Sequence, residues 1–274
     1  MITDSRKLAY QIRRHGLEMT HRGKTAHIGS IFSMADILGI LYGEVLHHDP
    51  KNPKMSERDR LVLSKGHAGA GIYAALAECG YFSVDELEKH CENGSRFSGH
   101  VSHKGVPGVE ISTGSLGQGM PMAMGMAMAA KLNRAAHRVY CIIGDGECDE
   151  GAIWESALIA NQYKLDNFIV TIDFNKFQSL APVEDTITLE PLDDKWRSFG
   201  WHVIRVDGHD HAALREAYKE AQAAMGGGKP IIIIADTIKG KGVSFMENTV
   251  LWHYRTAQGE EYDAAVQELE AAKP

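Results

Sequence analysis

Val139-Tyr140-Cys141-Ile142-Ile143-Gly144-Asp145-Gly146-Glu147 and, further along, Phe168-Ile169-Val170-Thr171-Ile172-Asp173-Phe174-Asn175 decide how this chain folds. Each run is apolar through its middle instead of alternating, the pattern of a parallel strand covered by helices on both faces. Each ends on a polar side chain at the carboxyl end of its strand, where open α/β sheets hold their ligands. A helical pattern over 153–163 lies between them. The unit therefore reads as strand, crossover helix, strand, which makes Asp145 and Asn175 neighbours on one sheet edge.

The same pattern extends outward. Residues 61–63 and 231–235 are further buried-strand candidates, and 201–206 is a fifth, interrupted by His202 and Arg205. Helical patterns fill 68–79, 117–134 and 211–225, the first 19 residues carry apolar residues every three or four positions, and 260–274 reads as a polar-faced terminal helix. Alternating strands and helices predict a doubly wound α/β fold with a mostly parallel sheet and helices on both faces. No linker or repeat interrupts it, so residues 1–274 are expected to form a single domain. Gly226-Gly227-Gly228 is a helix ending before a strand; a phosphate loop needs the opposite order. The methionines at alternate positions from Met120 to Met128 suggest a packed helix in which Met fills gaps.

Composition excludes several function classes. With 44% hydrophobic and 24% charged residues the chain is an ordinary globular one, neither disordered nor collagenous. Its net charge of -7, with nothing denser in basic residues than Arg13-Arg14 with Arg22 and Lys24, argues against nucleic acid as a partner. No apolar stretch approaches the roughly 20 residues that span a bilayer, so no membrane role is expected. The amino terminus lacks the apolar heart of a signal peptide. Cys79, Cys91, Cys141 and Cys148 form no metal-binding spacing, which fits a reducing, cytoplasmic compartment.

The paired strand ends carry the chemistry. An Asp carboxylate, an Asn amide oxygen, a main-chain carbonyl and water suit a hard cation, and Mg²⁺ commonly completes its shell with phosphate oxygens. Gly144 and Gly146 let backbone approach those phosphates. The site reads as Mg²⁺ holding a diphosphate.

The stretch GDGECDEGAIWESALIANQYKLDNFIVTIDFN (144–175) resembles the thiamine diphosphate motif, and specifically the form found in the transketolase family. Further stretches recur in the family's order: Lys24-Thr25-Ala26-His27-Ile28-Gly29, Leu63-Ser64-Lys65-Gly66-His67, Ser98-Gly99-His100, Thr113 to Gly119, and Asp207-Gly208-His209-Asp210. The resemblance implies that Asp145, Asn175 and the Phe177 carbonyl bind Mg²⁺, with Gly144 and Gly146 at the diphosphate. It implies that His67 contacts the diphosphate and that Gly114 and Leu116 meet the aminopyrimidine through their backbones. His27, His67, His100 and His253 would be the catalytic histidines of the substrate channel, moving protons at donor hydroxyls, a task for which imidazole is suited near neutrality. Glu150 matches an acidic residue of the family's domain interface. His15, His47, His48, His90, His137 and His211 match no motif position and read as structural. Lys239-Gly240-Lys241-Gly242 reads equally as a loop over the cofactor and as a solvated basic turn.

The resemblance covers the family's first domain alone. The glutamate that activates the aminopyrimidine belongs to the family's pyrimidine-binding domain and has no counterpart here. The chain is therefore expected to work with a second polypeptide, a carboxy-terminal subunit bearing the pyrimidine and terminal domains, in an assembly of two copies of each, acting on sugars or sugar phosphates. Departures from the family pattern, GSLGQG, the acidic GDGECDEG and His100-Val101-Ser102-His103, touch the channel and its rim and point toward a specialised ketose, such as a sulfo- or branched sugar. A 1-deoxyxylulose-5-phosphate synthase relative, the α subunit of a 2-oxo acid dehydrogenase, and a non-catalytic cofactor-binding homologue remain alternatives.

Overall fold

The computed structural model describes residues 4–274. Helix α1 (Ser5–Gly23) starts where the Asp4 carboxylate accepts the Arg6 and Lys7 amides, and stops at Lys24, whose φ of 48° no helix continues. Two short helices follow, α2 (Ile28–Ser33) and α3 (Ala35–Ile40), both buried throughout. Strand β1 (Arg60–Leu63) leads to α4 (Gly69–Glu78), and α5 (Gly119–Leu132) to β2 (Val139–Gly144). Then come α6 (Gly151–Gln162), β3 (Phe168–Phe174), the short α7 (Val183–Thr186) and α8 (Leu192–Ser198). The chain closes with β4 (His202–Asp207), α9 (His211–Ala223), β5 (Ile231–Asp236) and α10 (Glu260–Ala271).

The five strands form one sheet in the order β1-β2-β3-β5-β4, every pair parallel. Successive strand residues point to opposite faces, so β2 sends Tyr140 and Ile142 into one core and Val139, Cys141 and Ile143 into the other. The first core is roofed by α1 to α4, α9 and α10, the second by α5, α6 and α8. This is the doubly wound architecture expected from sequence. Strand β4 lies at the edge and is half-exposed, which explains its interrupted pattern.

In α5 the core is met by Met120, Ala123 and Ala127, the alanines allowing close approach, while Met124, Met126 and Met128 pack partly buried against its border as gap fillers and Met122 is exposed. Among the described residues no helix is long and apolar enough to cross a membrane, and all four cysteines are free.

Candidate functional site

The carboxyl ends of β1, β2, β3 and β5 surround a cavity of about 230 Å³. β1 delivers Lys65 and His67, β2 Asp145, β3 Asn175 and β5, through the segment after it, Lys239. The register aligns Gly144 with Asp173, so the two polar strand ends meet as expected. Asp145 is buried; its Oδ1 accepts the Gly146 amide at 2.8 Å and its Oδ2 the Lys176 amide at 2.5 Å, which ties the turn after β2 to the turn after β3. Asn175 donates through Nδ2 toward Asp173 at 3.4 Å and accepts the Phe177 amide on Oδ1 at 3.2 Å.

Several close approaches require the absence of a Cβ. At Gly66 one would lie 2.3 Å from the Thr113 carbonyl, so glycine there lets the His67 turn seat against the 113–117 loop. That loop is fixed by Glu147, which accepts the Gly117 amide at 2.9 Å, the Gly144 amide at 3.3 Å and the Ser64 hydroxyl. Gly114 and Leu116 thereby line the cavity, as do Gly144, Gly146 and Phe177. Glu150 is not brought there: it is exposed at the first position before α6, with no side-chain bond to the helix, and the buried acid of the segment is Glu147.

His27, His67, His100 and His253 gather at the cavity mouth. Ring centroids of His27 stand 5.2 Å from His67, 5.5 Å from His100 and 4.9 Å from His253. His27 holds φ at 75°, uncommon for a residue with a Cβ, and its amide donates to the His253 carbonyl at 3.0 Å. Burial, then neighbouring His100, Lys239 and Lys65, lower His27 to about 4; burial, then Lys239, lower His253 to about 3. His67 is driven well below its ordinary value by burial and then by Lys65. These three imidazoles are thus neutral at physiological pH, and a cationic His67 is not what the chain by itself sets up.

Histidines depressed in the folded state bind protons more weakly than in the unfolded chain. Their contribution to stability is complete above about 6.5 and is lost as pH falls toward about 4. Melting temperature should therefore drop between pH 7 and pH 5, and His253→Gln should flatten that drop. An unchanged slope in the variant would contradict the depressed values.

Two lysines join the site, Lys65, which the sequence leaves without a role, and Lys239, which it leaves open between the cofactor and solvent. Lys65, 1% exposed, pairs with Asp173, which is fully buried and held below the usual carboxylate range because Lys65, Ser33 and Thr237 outweigh the effect of burial. Lys239, also 1% exposed, donates to the Phe177 and Gln178 carbonyls at 2.9 Å each and approaches His253 Nδ1 at 3.2 Å. Burial lowers it to about 8 while Asp145 opposes the fall. Lys239 thus settles the ambiguity of the basic loop in favour of a buried cation.

The donor set suits a magnesium-bound diphosphate. Asp145 is raised to about 6 by burial and by the nearby Asp173 charge, the state of a carboxylate short of positive charge. Around it stand Asn175 and a main-chain carbonyl, all oxygen ligands of the kind a hard cation takes. Among the described residues no group of three or more His, Cys, Asp or Glu is arranged to hold a metal ion. Lys239 shares the Phe177 carbonyl, whose second lone pair remains available.

Comparisons with known proteins agree with this geometry. The family described as "Transketolase, thiamine diphosphate binding domain" matches residues 4–270. The chain is 43% identical over 267 residues to a 6-deoxy-6-sulfo-D-fructose transketolase subunit of Clostridium sp. (strain MSTE9), covering 97% of this chain and 96% of that one. It is 43% identical to one subunit of the apulose-4-phosphate transketolase of Actinobacillus succinogenes, covering 89% and 87%. Transketolase from Campylobacter jejuni superposes with a TM-score of 0.91 at 33% identity, over 98% of this chain and 43% of its own.

Proposed function

Because this chain belongs to the transketolase family, matched through its thiamine diphosphate-binding domain, we propose that it is the amino-terminal subunit of a two-polypeptide transketolase, moving a two-carbon ketol group from a ketose to an aldose. The observation that carries this reading is the meeting of Asp145 and Asn175 at adjacent strand ends beneath a group of four histidines. The several histidine-bearing loops and the subunit relatives favour ketol transfer over the oxo acid dehydrogenase and deoxyxylulose synthase alternatives.

In this reading Asp145, Asn175 and the Phe177 carbonyl hold Mg²⁺, and the whole chain acts as one diphosphate-binding domain. Gly144 and Gly146 give the diphosphate close access to backbone, with His67 and Lys239 as donors toward it. Gly114 and Leu116 present backbone to the aminopyrimidine, and Glu147 keeps their loop in place. Thiamine diphosphate, when bound, supplies the electron sink that ketol transfer requires. His27, His100 and His253 face the sugar; His27, neutral at pH 7, has an imidazole nitrogen free to accept a hydroxyl proton and later return it, whereas His253, whose Nδ1 accepts from Lys239, offers its Nε2 proton as a donor.

The subunit relatives are of this chain's length, whereas the chain spans about two fifths of the solved single-chain transketolases. This supports a partner polypeptide that brings the pyrimidine and carboxy-terminal domains, with two copies of each polypeptide by analogy to symmetric oligomers. Its seat is the outer face of α5 and α6, where Met122, Leu158, Ile159 and Tyr163 are all exposed. Helices this apolar on their outer side are those that expect cover. Four free thiols suit the cytosol. The relatives' names favour a sulfonated or branched ketose as donor.

The test is to co-express the chain with the partner and assay ketol transfer with thiamine diphosphate and Mg²⁺. His27→Ala and His100→Ala should each lower turnover by about 10²-fold or more, the range typical of positioned acid–base groups, with little change in cofactor affinity. Unchanged kinetics in both would remove the channel assignment. Sulfonated and branched ketoses compared with ordinary ketose phosphates by kcat/KM would decide the donor class.

A further inference from the structure

The Asp207-Gly208-His209-Asp210 stretch takes no part in the cavity, yet its surroundings give it a function. Gly208 packs flush against the end of β5: its amide donates to the Asp236 carbonyl at 2.8 Å, and a Cβ there would come 2.4 Å from the Thr237 methyl. Asp210 caps α9 through the Ala212 and Ala213 amides. Between these fixed points His209 reaches two partners. Its Nε2 accepts the Ile238 amide at 2.9 Å, and its Nδ1 meets Asp36 Oδ2 at 2.7 Å.

These bonds determine the tautomer. A backbone amide can only donate, so Nε2 carries the lone pair and the ring proton sits on Nδ1, facing the carboxylate. Asp36 is itself buried and held by Arg13 at 3.0 and 2.5 Å and by His211 at 3.0 Å. Arg13 in turn donates through Nε to the Lys241 carbonyl at 3.0 Å. One buried carboxylate thereby grips the segment on both sides of Lys239, at Ile238 and at Lys241. The Gly240 amide, donating to the Gly29 carbonyl at 3.0 Å, adds a third tie, to the first turn of α2 next to His27.

We propose that His209, oriented by Asp36, is a positioning residue that sets the Ile238–Lys241 segment and so aims Lys239 at the Phe177 and Gln178 carbonyls of the diphosphate site. The claim about the segment stands on geometry alone; its effect on the cofactor rests on the function proposed above. His209 touches none of the reacting groups and acts only through the backbone of its neighbour.

Two amide substitutions separate the two bonds. In His209→Gln the side-chain carbonyl reaches the position of Nε2 and still accepts the Ile238 amide; in His209→Asn the amide reaches only the position of Nδ1, keeping Asp36 and losing Ile238. Hydrogen exchange of the full chain should be about tenfold faster over 237–242 in His209→Asn and near wild type in His209→Gln, the size expected for loss of one buried hydrogen bond. In the complex with its partner, His209→Asn should weaken thiamine diphosphate binding in Mg²⁺ by about tenfold, while turnover at saturating cofactor stays within about twofold of wild type.

Unaltered exchange in His209→Asn, or equal defects in the two variants, overturns the positioning role, the former because satisfying Asp36 would then be all that His209 does, the latter because keeping the Ile238 bond would then confer nothing. Faster exchange with unchanged cofactor affinity overturns the link to the site. A wild-type complex that binds no thiamine diphosphate overturns the proposed function, and the exchange comparison still decides whether His209 sets the segment.

Discussion

Asp145→Ala yields a folded chain whose complex no longer shows Mg²⁺-dependent binding of thiamine diphosphate. Asp145 is the sole anion among the three proposed ligands, since Asn175 and the Phe177 carbonyl are neutral oxygens. Outer-sphere substitutions at metal sites already lower affinity about 10- to 100-fold, so loss of the charged ligand itself should exceed about 100-fold. The fold should survive for a reason visible in the same carboxylate. Burial and Asp173 raise Asp145 to about 6, which means that the folded chain gains little from holding it ionised. What the fold loses is an acceptor for the Gly146 and Lys176 amides, on the order of 1–3 kcal/mol for each amide left unsatisfied and nearer the lower figure because both bonds are only part-buried. Asp145→Asn should behave alike in cofactor binding while keeping an acceptor, and so should be the more stable of the two. Titration calorimetry of the complex with and without Mg²⁺, beside far-ultraviolet circular dichroism, reads both quantities. Metal-dependent affinity that survives in both variants would transfer the metal to other ligands.

The strands were legible because burial on both faces leaves an unmistakable apolar run, as in 139–143 and 231–235, and their carboxyl-end side chains were legible with them. Helices α2 and α3 were not, because they are buried all round and have no polar face to create a period. The same loss of contrast hid the orientation of α5, where Ala123 and Ala127 meet the core beside Met120 and the later methionines line its border. Within the site, Asp145, Asn175 and the histidines announce themselves by motif. Lys239 does not: a Lys-Gly-Lys-Gly stretch is what a solvated turn looks like, and only the tertiary ties at Ile238, Gly240 and Lys241 carry one lysine inward and leave the other half out. Likewise spacing cannot say which acid of Glu147-Cys148-Asp149-Glu150 turns inward; the amides of Gly117 and Gly144 select Glu147. Residues whose role depends on partners distant in sequence are the ones a linear reading misses.

The largest loss of stability is expected from Lys65→Met. Lys65 and Asp173 are both essentially without solvent contact, and removing one member of such a pair typically lowers stability by about 3–5 kcal/mol, because the remaining charge has no counterion and no water. Asp173 would keep the Ser33 hydroxyl at 2.5 Å, the Thr237 hydroxyl and the distant Asn175 amide, none of which bears charge. The sign of the pH dependence distinguishes this from a packing defect. In the wild-type chain Asp173 lies below its unfolded value, so its contribution is present above that value and is lost only as pH falls through the lower folded one. Without Lys65 the balance tips to burial, the folded value rises above the unfolded one, and the variant's deficit relative to the wild-type chain should shrink as pH falls from 8 to 5. Urea unfolding at those two pH values reads the difference, and adding Asp173→Asn to Lys65→Met should restore most of the loss at pH 8. A loss at pH 8 below about 1 kcal/mol, or one independent of pH, would mean that the pair is not the buried ionic floor described here. That floor also bears on chemistry, because the Asp173 charge is what Lys65 screens from Asp145 one strand away. Removing Lys65 should raise Asp145 further and weaken Mg²⁺ binding near neutrality, so a residue outside the metal's ligand set would govern whether its one anionic ligand is ionised.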